Sequence, residues 1–280
     1  MISGKYIDPF NFIDKIPLES LHLGYCKHVL GVNKNSSNFG VRTELGRLPI
    51  DCHIKVQSLI YLARLYTSDI NPLLEESFQL SESLDASGIY TWVSYAKDIL
   101  SESEIDIERL KACRDQKSLN NIKKYIKCQM HTYYSKLFEN KLNSIDEKSK
   151  LFFYKKLNIK FLTKPYLSIS NFEFRRLITK LRISDHVLLI EKGRHFKIPR
   201  EERLCQKCKL LDDEIHFLLH CTINSNLRKE YFEFLSYDSF FKDLSISEKI
   251  IYILNPSTPT EVNKLGSFIK KSIELRTGEP

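Results

Sequence analysis

Between positions 205 and 221 the chain carries Cys205, Cys208, His216 and Cys221 in the pattern C-x2-C-x7-H-x4-C. No other stretch restricts its own folding so strongly. A C-x2-C turn sets two thiols on one tight knuckle. The following seven residues are enough chain for a second short element to bring an imidazole and a third thiol back to them. Three sulfurs and one ring nitrogen form the closed tetrahedral set of a structural zinc ion, with no position left open for catalysis. His220, directly before Cys221, competes with His216, but it leaves no chain between the two ligands, so His216 is preferred. Lys207 and Lys209 favour ionised thiols by their charge. The competing explanation is a set of ordinary buried cysteines near a histidine. Four ligand types within seventeen residues, beside a basic run, weigh against it.

The rest of the chain reads as helix. Gly and Pro number nine each in 280 residues, too few for a sandwich or barrel built on tight turns. At 42% hydrophobic and 11% aromatic residues the composition supports a real core. Pro17 to Leu30 has Pro at a helix start and Gly31 past its end. Pro49 opens a second helix through Ile54, Leu59, Leu62 and Tyr66. Further helices are predicted around Trp92–Ile99, Ile107–Cys113 and Ile122–Phe138. Ser81 to Ser87, acidic and Ser-rich, reads as a loop, and Gly193 as the stop of a short segment. Ser170 and Glu173 form a capping-box pattern before the stripe Phe174, Leu177, Ile178, Leu181. Thr258 and Glu261 form another before Val262, Leu265, Phe268, Ile269 and Ile273. The fold class expected is mostly α: a bundle-like helical domain over 1–165, then a basic α-rich domain over 166–280 with the knuckle at 205–221.

Charge is uneven. Residues 69–108 hold ten acids against one base, and residues 117–164 hold twelve lysines against three acids. The latter read best as a solvated helix face. Residues 172–209 hold eleven bases against five acids, within a net charge of +8. Here Arg175, Arg176, Arg182, Arg194, Lys197, Arg200 and Arg203 are candidates for phosphate contacts, and Phe196 for stacking on a base. RNA or DNA is the partner this pattern suggests; a solvated face is its competitor. Seven cysteines, an odd number, argue against a disulfide framework. Cys26, Cys52, Cys113 and Cys128 read as small buried thiols. No run of eighteen apolar residues and no signal-peptide pattern occurs, so the expectation is an intracellular protein, nuclear or cytoplasmic, without a membrane partner.

Nucleotide-binding glycine motifs, the nucleophile elbow, H-E-x-x-H and the Tyr/Phe-x-Asp-Asp of a polymerase palm do not occur. His22, His28, His53, His131 and His186 lie at no telling spacing from a nucleophile or carboxylate. No catalytic residue is assigned and the chain does not read as an enzyme.

Two segments resemble a known family. Lys27 to Pro49, with Gly31-Val-Asn and Phe39-Gly-Val-Arg-Thr-Glu-Leu-Gly-Arg-Leu-Pro49, is one. Phe174-Arg-Arg-Leu through Gly193-Arg and Ile198-Pro-Arg-Glu-Glu-Arg-Leu-Cys205 to Cys221 is the other. Together they are similar to the region downstream of the reverse transcriptase domain in non-LTR, LINE- or jockey-like, retrotransposon polyproteins. The resemblance extends from about residue 17 onward and is most specific over 174–221. It implies a zinc knuckle ligated by Cys205, Cys208, His216 and Cys221 in a protein that handles nucleic acid, and it carries over no catalytic residue. The readings to be separated are a nucleic-acid-binding tail, a protein–protein interaction module and a retroelement remnant.

Overall fold

Prolines and short polar side chains set the helix starts. In the computed structural model, which describes residues 10–67, 70–157, 159–237 and 239–278, Pro17 begins the helix Pro17–Leu30. Asn71 caps Pro72–Ala86 by accepting from the Leu73 N–H. Thr258 and Glu261 close the expected reciprocal box at the start of Pro259–Thr277. The helix Phe172–Arg182 is capped by Asn171, one residue later than the Ser170 pattern suggests. Among the described residues the fold is α, with no strand and one isolated antiparallel bridge, Leu204 to Leu211. No helix among them is long and apolar enough to cross a membrane.

Two expectations fail locally. The segment 81–86 is not a loop but the end of the helix Pro72–Ala86. Its serines are absorbed by the helix itself: the Ser77 and Ser81 hydroxyls donate to carbonyls four residues back, at 2.9 Å each. Gly193 does not stop a helix. It lies inside Leu189–His195, and the Arg203 side chain passes so close that an added Cβ would stand 2.8 Å from Arg203 Cγ.

The chain forms two compact units. The first contains residues 1–19 and 48–143. In it the helix Ile50–Leu65 packs on Trp92–Glu102 and on the long helix Gln116–Asn143. Leu59, Leu62, Ala63, Ala96, Ile99, Leu110, Ile126 and Met130 are buried there. Pro49 supplies no side-chain cap, so the Glu19 carboxylate takes the Ile50 N–H at 2.6 Å. The Tyr134 hydroxyl donates to Asp51 in the same turn, at 2.6 Å. Cys52 and Cys113 are buried thiols here, as is Cys26 in the second unit, and burial pushes Cys52 up to about 12. Cys128 is not buried, because it lies on the outer side of the long helix.

The second unit contains residues 20–47 and 144–280, so it gathers chain from both sides of the division after residue 165 read from the sequence. A buried ionic hub explains that gathering. Glu44, from the helix Asn38–Leu45, accepts two parallel bonds of 3.0 Å from Arg182 Nε and Nη2. Both side chains are fully buried. The Tyr154 hydroxyl donates to the same carboxylate at 2.7 Å; the Tyr166 hydroxyl also donates to it and meets Thr179 at 2.8 Å. The remaining guanidinium nitrogen of Arg182 donates to the Leu254 carbonyl and, at 2.9 Å, to Asn255. Arg182 therefore cannot meet a phosphate, and its place among the candidate nucleic-acid contacts is corrected: its charge is consumed inside the unit. The helix carrying it lies along Pro259–Thr277, where Gly266 faces Phe174 so closely that a Cβ would come within 2.4 Å of the Phe174 Cβ.

Removing one member of a buried ion pair leaves an uncompensated charge. Arg182→Met is therefore expected to destabilise the second unit by about 3–5 kcal/mol in urea unfolding. The double variant with Glu44→Gln should recover much of that loss. Burial alone would raise the Glu44 carboxyl, but Arg182 and the two tyrosine hydroxyls outweigh it and hold it below its ordinary 4.5. Its stabilising contribution is thus complete above that value and fades as pH falls through the lowered one. Acid unfolding of the double variant should lack this component.

Candidate metal centre

The knuckle is a small hairpin. Cys205 N–H donates to the Leu210 carbonyl at 2.7 Å, and Lys209 N–H to the Cys205 carbonyl at 2.9 Å. Lys209 holds the left-handed conformation, φ +56°, that lets the chain reverse. After the hairpin the Asp213 carboxylate accepts from the His216 N–H at 2.8 Å and starts a single wide helical turn, His216–His220. Cys221 N–H returns to the His216 carbonyl at 2.7 Å, which ends the turn with Cys221 below the hairpin.

These elements bring together the four residues singled out from the sequence. One ligand atom from each of Cys205, Cys208, His216 and Cys221 lies within 4.8 Å of all the others. The Cys205 and Cys208 sulfurs stand 4.0 and 3.9 Å from the Cys221 sulfur. Sulfurs held at ~2.3 Å from one tetrahedral ion would be ~3.8 Å apart, so the spacing fits a bound metal. His216 is 4% exposed, and neither of its ring nitrogens has a hydrogen-bond partner. A buried, unsatisfied imidazole beside three thiols is accounted for by a metal ligand. His220 is exposed and outside the group.

Partners around Cys208 and His216 favour their ligating forms. Cys208 Sγ takes the Thr222 N–H at 3.3 Å and lies 3.2 Å from its hydroxyl. Burial opposes the Cys208 thiolate, but the Thr222 bonds outweigh it and bring the thiol down to about 7. Burial pushes the Cys221 thiol up, opposed by Arg276, whose guanidinium donates to Cys221 Sγ at 2.9 Å and to Asp212 at 2.6 Å. Burial and Arg276 lower His216, keeping the imidazole neutral. Lys207 and Lys209 are exposed; the cation bonded to a sulfur is Arg276. Arg276 and Thr222 were not legible in the spacing. Arg276 stands 55 residues beyond Cys221 and carries no motif.

The candidate nucleic-acid residues divide. Arg175 is half-buried and donates to the Leu167 carbonyl at 2.6 Å. Arg176 is half-buried against Gly31. Arg194 donates to the Lys148 carbonyl at 2.6 Å and pairs with Glu191 at 3.1 Å. Arg203 spends three bonds on the carbonyls of Ile198 and Ile190. Phe196, Lys197 and Arg200 are exposed, with Lys192 and His195 beside them.

No family model, curated protein or solved structure matches the chain.

The purified protein is expected to carry one metal equivalent by elemental analysis. His216→Ala and Cys221→Ser should lose it, whereas His220→Ala should keep it. Arg276→Met should retain the metal but release it to a competing chelator about 10- to 100-fold more readily, the usual cost of losing a ligand's supporting bond.

Proposed function

We propose that the second unit is a zinc-stapled nucleic-acid-binding module, the downstream portion of a retrotransposon-type reverse transcriptase, with no catalytic centre of its own. The observation that carries the reading is the Cys3His group. Three thiolates and one imidazole suit zinc, and four protein ligands leave no coordination position for substrate. The ion's role is then to staple a hairpin and a helical turn that have little core of their own.

The phosphate-binding surface is narrower than the basic run suggests. Arg175, Arg194 and Arg203 bind backbone carbonyls and shape the unit. Lys197 and Arg200 remain as contacts, joined by exposed Lys192, Lys207 and Lys209, and Phe196 offers a ring face for stacking. The sequence resemblance over 174–221 supports the nucleic-acid reading over a merely structural metal site.

Docking of another protein chain is the second reading. It is favoured by a stripe on the helix Pro17–Leu30, where Leu18, Leu21, Tyr25 and Val29 are exposed, Leu21 to 73%.

Fluorescence anisotropy on a mixed-sequence single-stranded RNA separates the two. Five phosphate contacts give a log–log salt slope of about −3.5, and Lys197→Glu with Arg200→Glu should flatten it by about 1.4. Chelation of the metal should abolish binding. A slope near zero, or one indifferent to the double substitution, would reject the nucleic-acid reading and leave protein docking.

A further inference from the structure

Three of the chain's seven cysteines meet in the second unit. The Cys221 sulfur is their shared neighbour, 4.0 Å from that of Cys205 and 3.9 Å from that of Cys208. A disulfide bond is ~2.05 Å long, so joining Cys208 to Cys221 needs an approach of roughly 1.9 Å. The two residues belong to different elements, Cys208 to the hairpin and Cys221 to the end of the wide turn. A bond between them therefore closes across the metal centre. Access singles out one of the three sulfurs as the first to react. Cys205 and Cys221 are buried, and the Arg276 guanidinium stands 2.9 Å from the Cys221 sulfur. Cys208 is only half-buried. Cys128 is the other cysteine with an exposed side, and it lies on the long helix of the first unit.

Hydrogen peroxide oxidises a thiolate to a sulfenic acid, which condenses with a second thiol to a disulfide. At this centre the Cys208 sulfur attacks peroxide: an S–O bond forms, the O–O bond breaks and hydroxide leaves. The Cys221 sulfur then attacks the sulfenic sulfur: the S–S bond forms, the S–O bond breaks and a second hydroxide leaves. Each sulfur gives up one electron, peroxide takes both, and two solvent protons turn the hydroxides into water. Zinc is left with Cys205 and His216, two of the four ligands it requires, and departs. Its departure strands the buried His216 ring, whose nitrogens have no other partner, so the wide turn loses what orders it.

We propose that the Cys3His centre is a peroxide-sensitive zinc switch: oxidation joins Cys208 to Cys221 and expels the ion, and a thiol reductant with zinc restores it. Such a switch rests on the zinc-stapled reading of this unit and gives that site its regulation, because RNA binding then follows the presence of the ion.

The test uses the zinc-loaded full chain carrying Cys128→Ser, so that the exposed thiol of the first unit cannot consume oxidant. During titration with hydrogen peroxide, a colorimetric zinc indicator should report one zinc released for each disulfide formed. Mass spectrometry of unreduced peptides should find Cys208 joined to Cys221. Anisotropy on the single-stranded RNA should fall in parallel, and dithiothreitol with added zinc should restore both zinc content and binding. Cys208→His keeps four zinc-binding side chains but removes the sulfur that is oxidised, so it should hold its zinc at the dose that empties the native centre. If that variant binds no zinc, the mapped disulfide and the zinc count decide the matter. Zinc retained under oxidation, release with a Cys205–Cys208 bond or with no disulfide, or release that reductant and zinc do not reverse would each overturn the switch. So would an oxidised, zinc-free chain that binds RNA as tightly as the reduced form. A chain that binds no RNA before oxidation rejects the nucleic-acid reading instead, and the switch is still decided by zinc release and the disulfide, which are read without RNA.

Discussion

The second unit depends on a charge pair sealed away from water. Glu44 and Arg182 are separated by 138 positions, yet each satisfies the other through two hydrogen bonds, and two tyrosines, a threonine and a helix-terminal carbonyl complete the set. A buried ion pair of this kind contributes little net stability over a well-packed apolar replacement. What it enforces is arrangement. Any packing that leaves Glu44 without Arg182 exposes a bare charge to a dry interior, so the helix Asn38–Leu45 has one tolerable seat against Phe172–Arg182. That seat also ties the helix Asn38–Leu45 to the helix Phe172–Arg182, which lies along Pro259–Thr277, the helix that carries Arg276.

Much of the architecture was legible in the sequence because it is encoded locally. Proline at a first turn, Thr258 with Glu261, and apolar spacing at three and four residues are short-range signals, and the helices follow them. The four cysteine and histidine positions were legible for the same reason: their geometry is set by seventeen consecutive residues. Composition misled where the helix could supply what a loop residue wanted, as Ser77 and Ser81 found carbonyls within their own helix.

The uneven fates of the basic residues share a physical origin. Arg175, Arg182, Arg194 and Arg203 look alike in sequence, as cations in a basic run. Their fates depend on acceptors placed by tertiary structure: an internal carboxylate for Arg182, backbone carbonyls for the others. Arginine suits such work because its planar fork donates in several directions at once. A count of basic residues therefore overstates the surface available to a polyanion. Exposed lysines, which carry their charge on a flexible stem, are the better guide.

The bond from Arg276 to Cys221 has a consequence in time. The two residues are 55 positions apart, so during synthesis the knuckle leaves the ribosome before the cation that steadies its buried sulfur. At ~5–20 residues per second the delay is roughly 3–11 s. Through that interval the hairpin and the wide turn stand without Arg276, with Cys208 already favoured as thiolate by adjacent Thr222. The four candidate ligands are thus all synthesised before their distant guanidinium, and Arg276 ties Cys221 to the last helix only afterwards.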